Sequence, residues 1–567
     1  METENKIIRL VFALATPSLE ELPQGNPIDP ARADELIDFH LAWTALWSPR
    51  VLGPLGFLPE CRRADPHGLD IENALIVVPQ LAASTVDQPL QERLNLSSNR
   101  VLFSRSKSRL DLIEEICRIL EPGMESDRQD LPSEADELEC DFCSFGYAVM
   151  QVQQMARKLR YSFNLDWMVV SDQLIQASRG FNQGDYEQAE HWLAAAFDSL
   201  SQERDRYCSQ QGYLIHLVLT APSTLAGRFS KEMQNSIPTS LFATQDTLQS
   251  LRASNPEGFE ALCGRMADKS ISIAGGFACE RKHTYLSELS LHRSLLKARS
   301  QAQAAGIAYP KVLLPFHPSI PAHLPGAAKL HGFEGVVLAR FLDGLIPEKE
   351  HAKLKWSSTS DGPAIDAVLG HVVDANDPRS VLELGSSMSK QLDYHQVPTL
   401  LVAHWPDRTC SVFGDLCRIM SRTPALGKWI LLDDYFRSTS QPYWTDQFGP
   451  SHFPFAIPGQ PEQIHATQIS LVHLQRNLHA FERLSDALIC WKHAAADSKN
   501  SQDEKSLDSV AADRLIEQIQ AALDLLDSVA DHGADKILSP EAWVPIVESQ
   551  YQSLREQASI YIAQCLG

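Results

Sequence analysis

Apolar positions along the chain fall into two alternating patterns. Short, mostly unbroken runs recur at Ile7–Ala15, Leu75–Val78, Tyr213–Leu219, Ile271–Ala274, Val312–Leu314, Val336–Ala339, Leu400–Ala403 and Trp429–Leu432. Runs of this kind suit strands buried on both faces, which means a parallel sheet. Between them, apolar residues spaced by three and four mark helices. Asp246–Ser254 stops before Pro256, Pro256–Asp268 follows, Leu286–Ala305 ends at the C-cap Gly306, and Val381–Tyr394 is another. Alternation of strand and helix predicts a β/α barrel or a doubly wound sheet; a barrel of seven or so parallel strands is the preferred reading.

Two stretches depart from the alternation. Residues 106–207 have almost no strand signal, with helical periodicity in Leu110, Ile113, Cys117 and Leu120 and again in Ala189, Trp192, Leu193, Ala196 and Leu200. They read as a helical insertion, or a lid, between early strands. After about residue 460, Leu471, Leu474, Leu478, Phe481, Leu484, Leu488 and Trp491 form one apolar stripe; Leu515, Ile519, Leu523 and Leu526 a second; and Val544, Val547, Tyr551, Leu554 and Ala558 a third. The expected organisation is a barrel over 1–460 and a three-helix bundle over 461–567.

Composition narrows the class. Apolar residues at 44% and charged residues at 22% are globular values, which excludes wholesale disorder. Fifty basic against 72 acidic side chains leave a net charge of −22, which repels phosphate backbones and anionic lipid, so neither nucleic acid nor a membrane is an expected partner. Of the 11 cysteines only Cys140 and Cys143 are closely spaced, with no second pair to complete a zinc site, and reduced thiols are expected. The start METENKIIRLVFALATP lacks a basic lead and a long apolar core, so a cytoplasmic location is expected.

The chain has no GxGxxG, GxxxxGK[ST], GxSxG or HExxH, so dinucleotide, P-loop, serine-hydrolase and zincin chemistry have no motif to stand on. Candidate chemistry then falls on carboxylates, histidines and aromatics just after the strands, where loops converge at the C-terminal face of a barrel. Those loops carry Gly275-Gly276-Phe277-Ala278-Cys279-Glu280, Pro315-Phe316-His317, Arg340, Trp356 to Gly362 with Asp361, and His404-Trp405-Pro406-Asp407. Tryptophan beside carboxylates suits a sugar, whose C–H faces stack on rings while its hydroxyls bond to acids; it is also common in ordinary cores.

In their order, these segments resemble the catalytic barrel of glycoside hydrolase family 38, the α-mannosidases. GGFACE is similar to the family's Gly-Gly opening with its acidic residue, and KVLLPFHPSIPAHLPGAAKLHGF to its strand, loop and Leu-Pro helix. KWSSTSDGPAI resembles the tryptophan followed by Asp-Gly, and PTLLVAHWPD and PALGKWILLDDYF the last strand ends, with striped helices following as in the family's bundle. The family works through a zinc ion and an aspartate nucleophile, with a second carboxyl as acid and base. The resemblance implies that these parts are missing here. LVFALATPSLEE has no His-x-Asp pair, nor does the rest of the chain; the position after LLP that should hold the nucleophile is Phe316; and the partner of Glu280 is Lys282. Asp407 lies near the acid/base position and His465 near the last zinc histidine, but a lone histidine cannot hold zinc. The family's β-rich C-terminal domains have no counterpart before Gly567.

The expectation is therefore a carbohydrate-related barrel without zinc-dependent retaining hydrolysis, with no metal and no cofactor, binding sugar through Trp356, Asp361, His404 and Trp405 or acting as a scaffold. One alternative is a metal-independent hydrolase in which Asp407 works with Glu280 or Asp361 across about 6.5–9.5 Å, with Asp343 as a further candidate. The other is a protein-interaction module whose C-terminal helices recruit a partner or a second copy.

Overall fold

The computed structural model describes residues 7–22, 30–96, 99–105, 107–120, 133–279, 288–316, 320–341, 352–392, 397–439 and 445–449, with 452, 549 and 556 as isolated positions. The helices expected over 461–567, and Glu280, Lys282, His317, Asp343 and His465, lie outside the described residues.

The strands form two sheets. β1 (Arg9–Leu14), β2 (Glu60–Arg63), β3 (Ala74–Val78) and β4 (Arg100–Phe103) make a parallel sheet of order β2-β1-β3-β4. The second contains β5 (Tyr213–Leu219), β6 (Thr239–Ala243), β7 (Ile271–Gly275), β8 (Val312–Leu313), β9 (Gly335–Ala339), β10 (Lys353–Ser357), β11 (Ile365–Asp374), β12 (Thr399–His404), β13 (Lys428–Trp429) and β14 (Thr445–Gln447). Here β5-β6-β7-β8-β9-β11-β12 pair in parallel, and β12 returns to β5, closing a seven-stranded barrel. The parallel barrel expected from the apolar runs is the observed architecture. Two of those runs do not belong to it: Ile7–Ala15 and Leu75–Val78 supply β1 and β3 of the smaller sheet, and the barrel opens at Tyr213. A third, Trp429–Leu432, is strand only at Lys428–Trp429, and the chain turns helical from Leu432 to Ser438.

Residues on one side of the barrel strands fill its interior: Ile215, Leu217, Val312, Val337, Val368 and Leu401 form one buried cluster. The N-terminal end of this interior is closed by the chain after β13. Ile430, Leu432, Tyr435 and Phe436 join the same cluster; Thr399 Oγ1 donates to Tyr435 Oη at 2.9 Å, and the Leu432 amide donates to Ser240 Oγ at 2.9 Å. Gly335, at the start of β9, makes room for Phe436. A Cβ there would stand 2.2 Å from the ring, so Gly335→Ala should cost about 1–3 kcal/mol by overpacking, read as a lower urea midpoint with an unchanged slope.

The opposite side of β5 and β12 packs against the N-terminal half of the chain in one continuous core. A chain of rings links the small sheet to the long helices: Phe12 to Trp43 at 5.3 Å, Trp43 to Trp47 at 5.4 Å, Trp47 to Phe145 at 5.5 Å and Phe145 to Phe197 at 5.1 Å. The single helix expected over Val381–Tyr394 is two, Pro378–Leu382 and Leu384–Leu392, parted at Glu383. The break leaves carbonyls without helical donors, and the helix Ser133–Lys158 supplies them. Gln151 and Gln154 donate to Leu382 O at 2.7 and 3.0 Å, Tyr147 Oη donates to Val381 O at 2.8 Å, and the Gly385 amide donates to Gln151 Oε1 at 2.6 Å.

Candidate functional site at the barrel mouth

The C-terminal ends of the barrel strands, where such folds place their chemistry, are occupied here by rings. Phe242 comes from the end of β6, Phe316 from the loop after β8, Phe341 from the loop after β9 and Trp405 from the residue after β12. Phe316 stacks on Phe242 at 5.2 Å and 24° and on Phe341 at 5.4 Å and 4°, and meets Trp405 edge-on at 6.0 Å. Offset and edge contacts at these distances are favourable beyond the area they bury. Phe316 is only 9% exposed. The position expected to matter most for chemistry is thus the centre of an aromatic layer capping the interior.

The Gly-Gly opening of GGFACE has a structural role. Gly275 and Gly276 adopt φ of 142° and 100°, in the region L side chains rarely enter. A Cβ on Gly275 would meet Ala243 O at 2.5 Å, and one on Gly276 would meet the Phe333 ring at 2.7 Å. These glycines let the β7 strand end fold closely over its neighbours.

The remaining candidates are spread around the barrel. Trp405 is half-buried at the edge of the cap, as is Phe341. Trp356 is fully buried: it packs in a cluster with Leu354, Ile365 and Phe448, and its Nε1 donates to Phe448 O at 3.1 Å. A ring covered on both faces offers no stacking surface to a sugar, and this corrects the reading of Trp356 as a sugar platform. Asp361 is exposed, but on the wrong end. β10 runs antiparallel to β11, with Trp356 opposite Ile365, so the turn between them lies at the N-terminal ends of the barrel strands. Asp361 and Asp407 are therefore separated by the length of a strand, far beyond the spacing an inverting pair requires, and that dyad is withdrawn.

Asp407 stands at the mouth side in the left-handed backbone region at φ 57°. Its side chain is 42% exposed and pairs with Lys231 at 3.2 Å. The sequence reading passed over Asp374 at the end of β11, which is in register with Ala403 and whose carboxyl is raised by partial burial against the hydrogen bond it accepts from the Asn376 amide at 2.8 Å. Its only sequence signal is that it directly follows the apolar pair Val372–Val373.

His404 does not face the mouth. Alternate residues of β12 face alternate sides: Leu401 and Ala403 point into the interior cluster, while Leu400 and Val402 pack outward. His404 shares the outward side with His216 of β5. The two rings stack at 5.0 Å and their Nε2 atoms are 2.8 Å apart. His216 Nδ1 lies 2.9 Å from Thr239 Oγ1, and His404 Nδ1 lies 2.9 Å from Trp405 O. Burial, then the neighbouring His404, holds His216 well below the usual imidazole range. Glu232 completes a group whose ligand atoms all fall within 4.8 Å of one another, its Oε1 3.9 Å from His404 Nε2. His216 and Glu232 belong to no motif, and their distance from His404 along the chain hid the cluster.

No protein-family model matches the sequence, and no curated protein sequence does. Among solved structures, an α-mannosidase from Enterococcus faecalis V583 is similar at 13% identity and a TM-score of 0.41, over 63% of this chain and 43% of that one. A 4-α-glucanotransferase from Thermococcus litoralis follows at 10% and 0.34, over 55% of this chain and 51% of that one. A branching enzyme of glycoside hydrolase family 57 from Thermococcus kodakaraensis, at 10% and 0.32, spans 98% of this chain and 91% of its own. The chain covers about half or less of the first two. Likenesses this distant say nothing about activity.

Proposed function

We propose that the chain is a carbohydrate-related barrel that binds sugar or serves as a scaffold without hydrolysing glycosidic bonds. The carbohydrate class rests on the ordered resemblance of residues 275–435 to the α-mannosidase barrel. The absence of hydrolysis rests on one observation, the Phe242–Phe316–Phe341–Trp405 layer across the mouth. A reacting sugar ring needs a space between two carboxyl groups, and at this mouth a stacked phenyl ring takes the position the resemblance assigns to the nucleophile. The half-buried Trp405 ring is the surface on which a sugar would stack, with Asp374 and Asp407 as nearby acceptors for hydroxyls.

The test is a panel of aryl glycosides with the full chain, with and without chelator, run beside glycan-array binding. No turnover on any member is the expected result. Turnover insensitive to chelator and abolished by Asp407→Asn would overturn the reading and restore the metal-independent hydrolase. Binding on the array that weakens in Trp405→Ala would select sugar binding over a purely supporting role.

A further inference from the structure

The outward wall of the barrel carries three donors of metal-binding type in one buried place: His216 on β5, His404 on β12 and Glu232 on the short helix Gly227–Glu232. We propose that these residues bind one divalent first-row transition ion, zinc by donor preference, through His216 Nε2, His404 Nε2 and a Glu232 carboxylate oxygen. This inference does not depend on whether the mouth binds sugar.

Glu232 supplies the first support. It is 8% exposed; among the described residues its carboxylate accepts from the Asp407 amide at 3.4 Å through Oε2, lies 3.9 Å from His404 and feels the positive charge of Arg265. A carboxylate taken out of water normally accepts several hydrogen bonds or faces a cation. Oε1 is turned towards the two imidazoles, where a cation would sit.

The second support comes from the far side of each ring. A metal-bound imidazole characteristically donates its other N–H to an oxygen that fixes its orientation. His404 Nδ1 has the Trp405 carbonyl, an acceptor with no proton of its own, so Nδ1 carries the hydrogen and the Nε2 lone pair is available. His216 Nδ1 has the Thr239 hydroxyl, which in turn lies 2.8 Å from Ile237 O. With that hydroxyl donating to Ile237 O, it accepts from His216 Nδ1–H, and the His216 Nε2 lone pair also points at the site. Without metal, the hydroxyl turns to His216 and Nε2–H of His216 donates to Nε2 of His404. The two forms contain the same number of protons, so binding requires one hydroxyl rotation and a shift of one proton from Nε2 to Nδ1 of His216, with none released.

The donor positions are close to what zinc needs. Bonds of about 2.0–2.2 Å in tetrahedral geometry put neighbouring ligand atoms roughly 3.3–3.5 Å apart. The imidazole pair must open slightly from 2.8 Å and the carboxylate must close from 3.9 Å. Two nitrogens and one oxygen suit zinc over magnesium or calcium, which prefer oxygen alone. The rings of Phe413 and Trp429, 5.7 and 5.8 Å from His216, wall the site with apolar surface.

The experiment uses the full chain, stripped with chelator, equilibrated with zinc and passed into metal-free buffer before elemental analysis. One zinc per chain is expected. Cobalt(II) in its place should give the visible bands of a low-coordinate nitrogen and oxygen site without a thiolate charge-transfer band. Glu232→Gln and His404→Gln, checked for native circular dichroism, should each weaken zinc binding at least tenfold. Under one-tenth equivalent in the folded wild type, a thiolate band, or unchanged affinity in both variants would each overturn the assignment. The cobalt spectrum needs no substitution, so a variant that fails to fold leaves the test intact.

Discussion

Phe316→Ala should destabilise the protein by about 3–5 kcal/mol, the range for removing a buried aromatic ring when neighbours relax only partly. Phe316 joins two stacked partners and one edge-on partner, so the substitution removes the shared contact of the whole cap and leaves Phe242, Phe341 and Trp405 around a cavity. Phe316→Asp should be worse. It restores the residue type that the family resemblance would place here, but it buries a carboxylate among aromatic faces with no opposite charge in the layer, and such a group either costs stability or takes up a proton. Urea unfolding followed by tryptophan fluorescence reads both losses, and neither variant should hydrolyse an aryl glycoside. A Phe316→Ala protein as stable as the wild type would mean that the cap is not packed as described.

Asp415→Leu is the second large effect, a loss of about 3–5 kcal/mol. Asp415, on the helix Ser411–Arg422, is 4% exposed; it accepts from His40 Nε2 at 2.6 Å and is gripped by both terminal nitrogens of Arg109. Burial alone would raise its pKa, but Arg109 and then His40 outweigh burial and hold it at about 2. Burial lowers His40 despite Asp415, so the neutral ring donates through Nε2. Removing the carboxylate leaves a buried guanidinium uncompensated. Replacing both partners, Asp415→Leu with Arg109→Met, should recover at least half of the loss, because an apolar substitute for a buried pair is often neutral. The pH dependence has a definite sign. A carboxyl whose folded pKa lies below its unfolded value contributes stability that is full above about pH 4 and is lost as pH falls towards about 2. The stability gap between wild type and Asp415→Asn should therefore narrow over that window; a gap that stayed constant to pH 2 would contradict the linkage.

The legible and illegible parts of the sequence differ for physical reasons. The buried parallel strands were readable because such strands are apolar on both faces. The same property concealed which sheet each run joins: VFAL in β1 and VVLA in β9 look alike, and only pairing separates them. β11 was missed because Asp366, Gly370 and His371 interrupt its apolar run, and β6 because Thr239 and Ser240 leave only three consecutive apolar residues in it. Phe316 stood out through the residues around it, whereas its stacking partners come from other strands and share no spacing with it. Trp356 looked like a site residue because acids follow it in the chain, but β10 runs against its neighbour and carries those acids to the other end. The His216–Glu232–His404 cluster is assembled by the closure of the barrel, a contact between first and last strands that no local pattern records.

Tyr147, Gln151 and Gln154 of the long helix Ser133–Lys158 donate to carbonyls 228 to 234 positions later, and Asp141 meets Arg422 across 281. At synthesis rates of about 5–20 residues per second, those partners leave the ribosome roughly 10–60 s after the helix. Throughout that interval Tyr147, Gln151 and Gln154 lack the carbonyls they meet in the folded chain, so this helix cannot reach its final packing until the segment around Val381 and Leu382 has emerged.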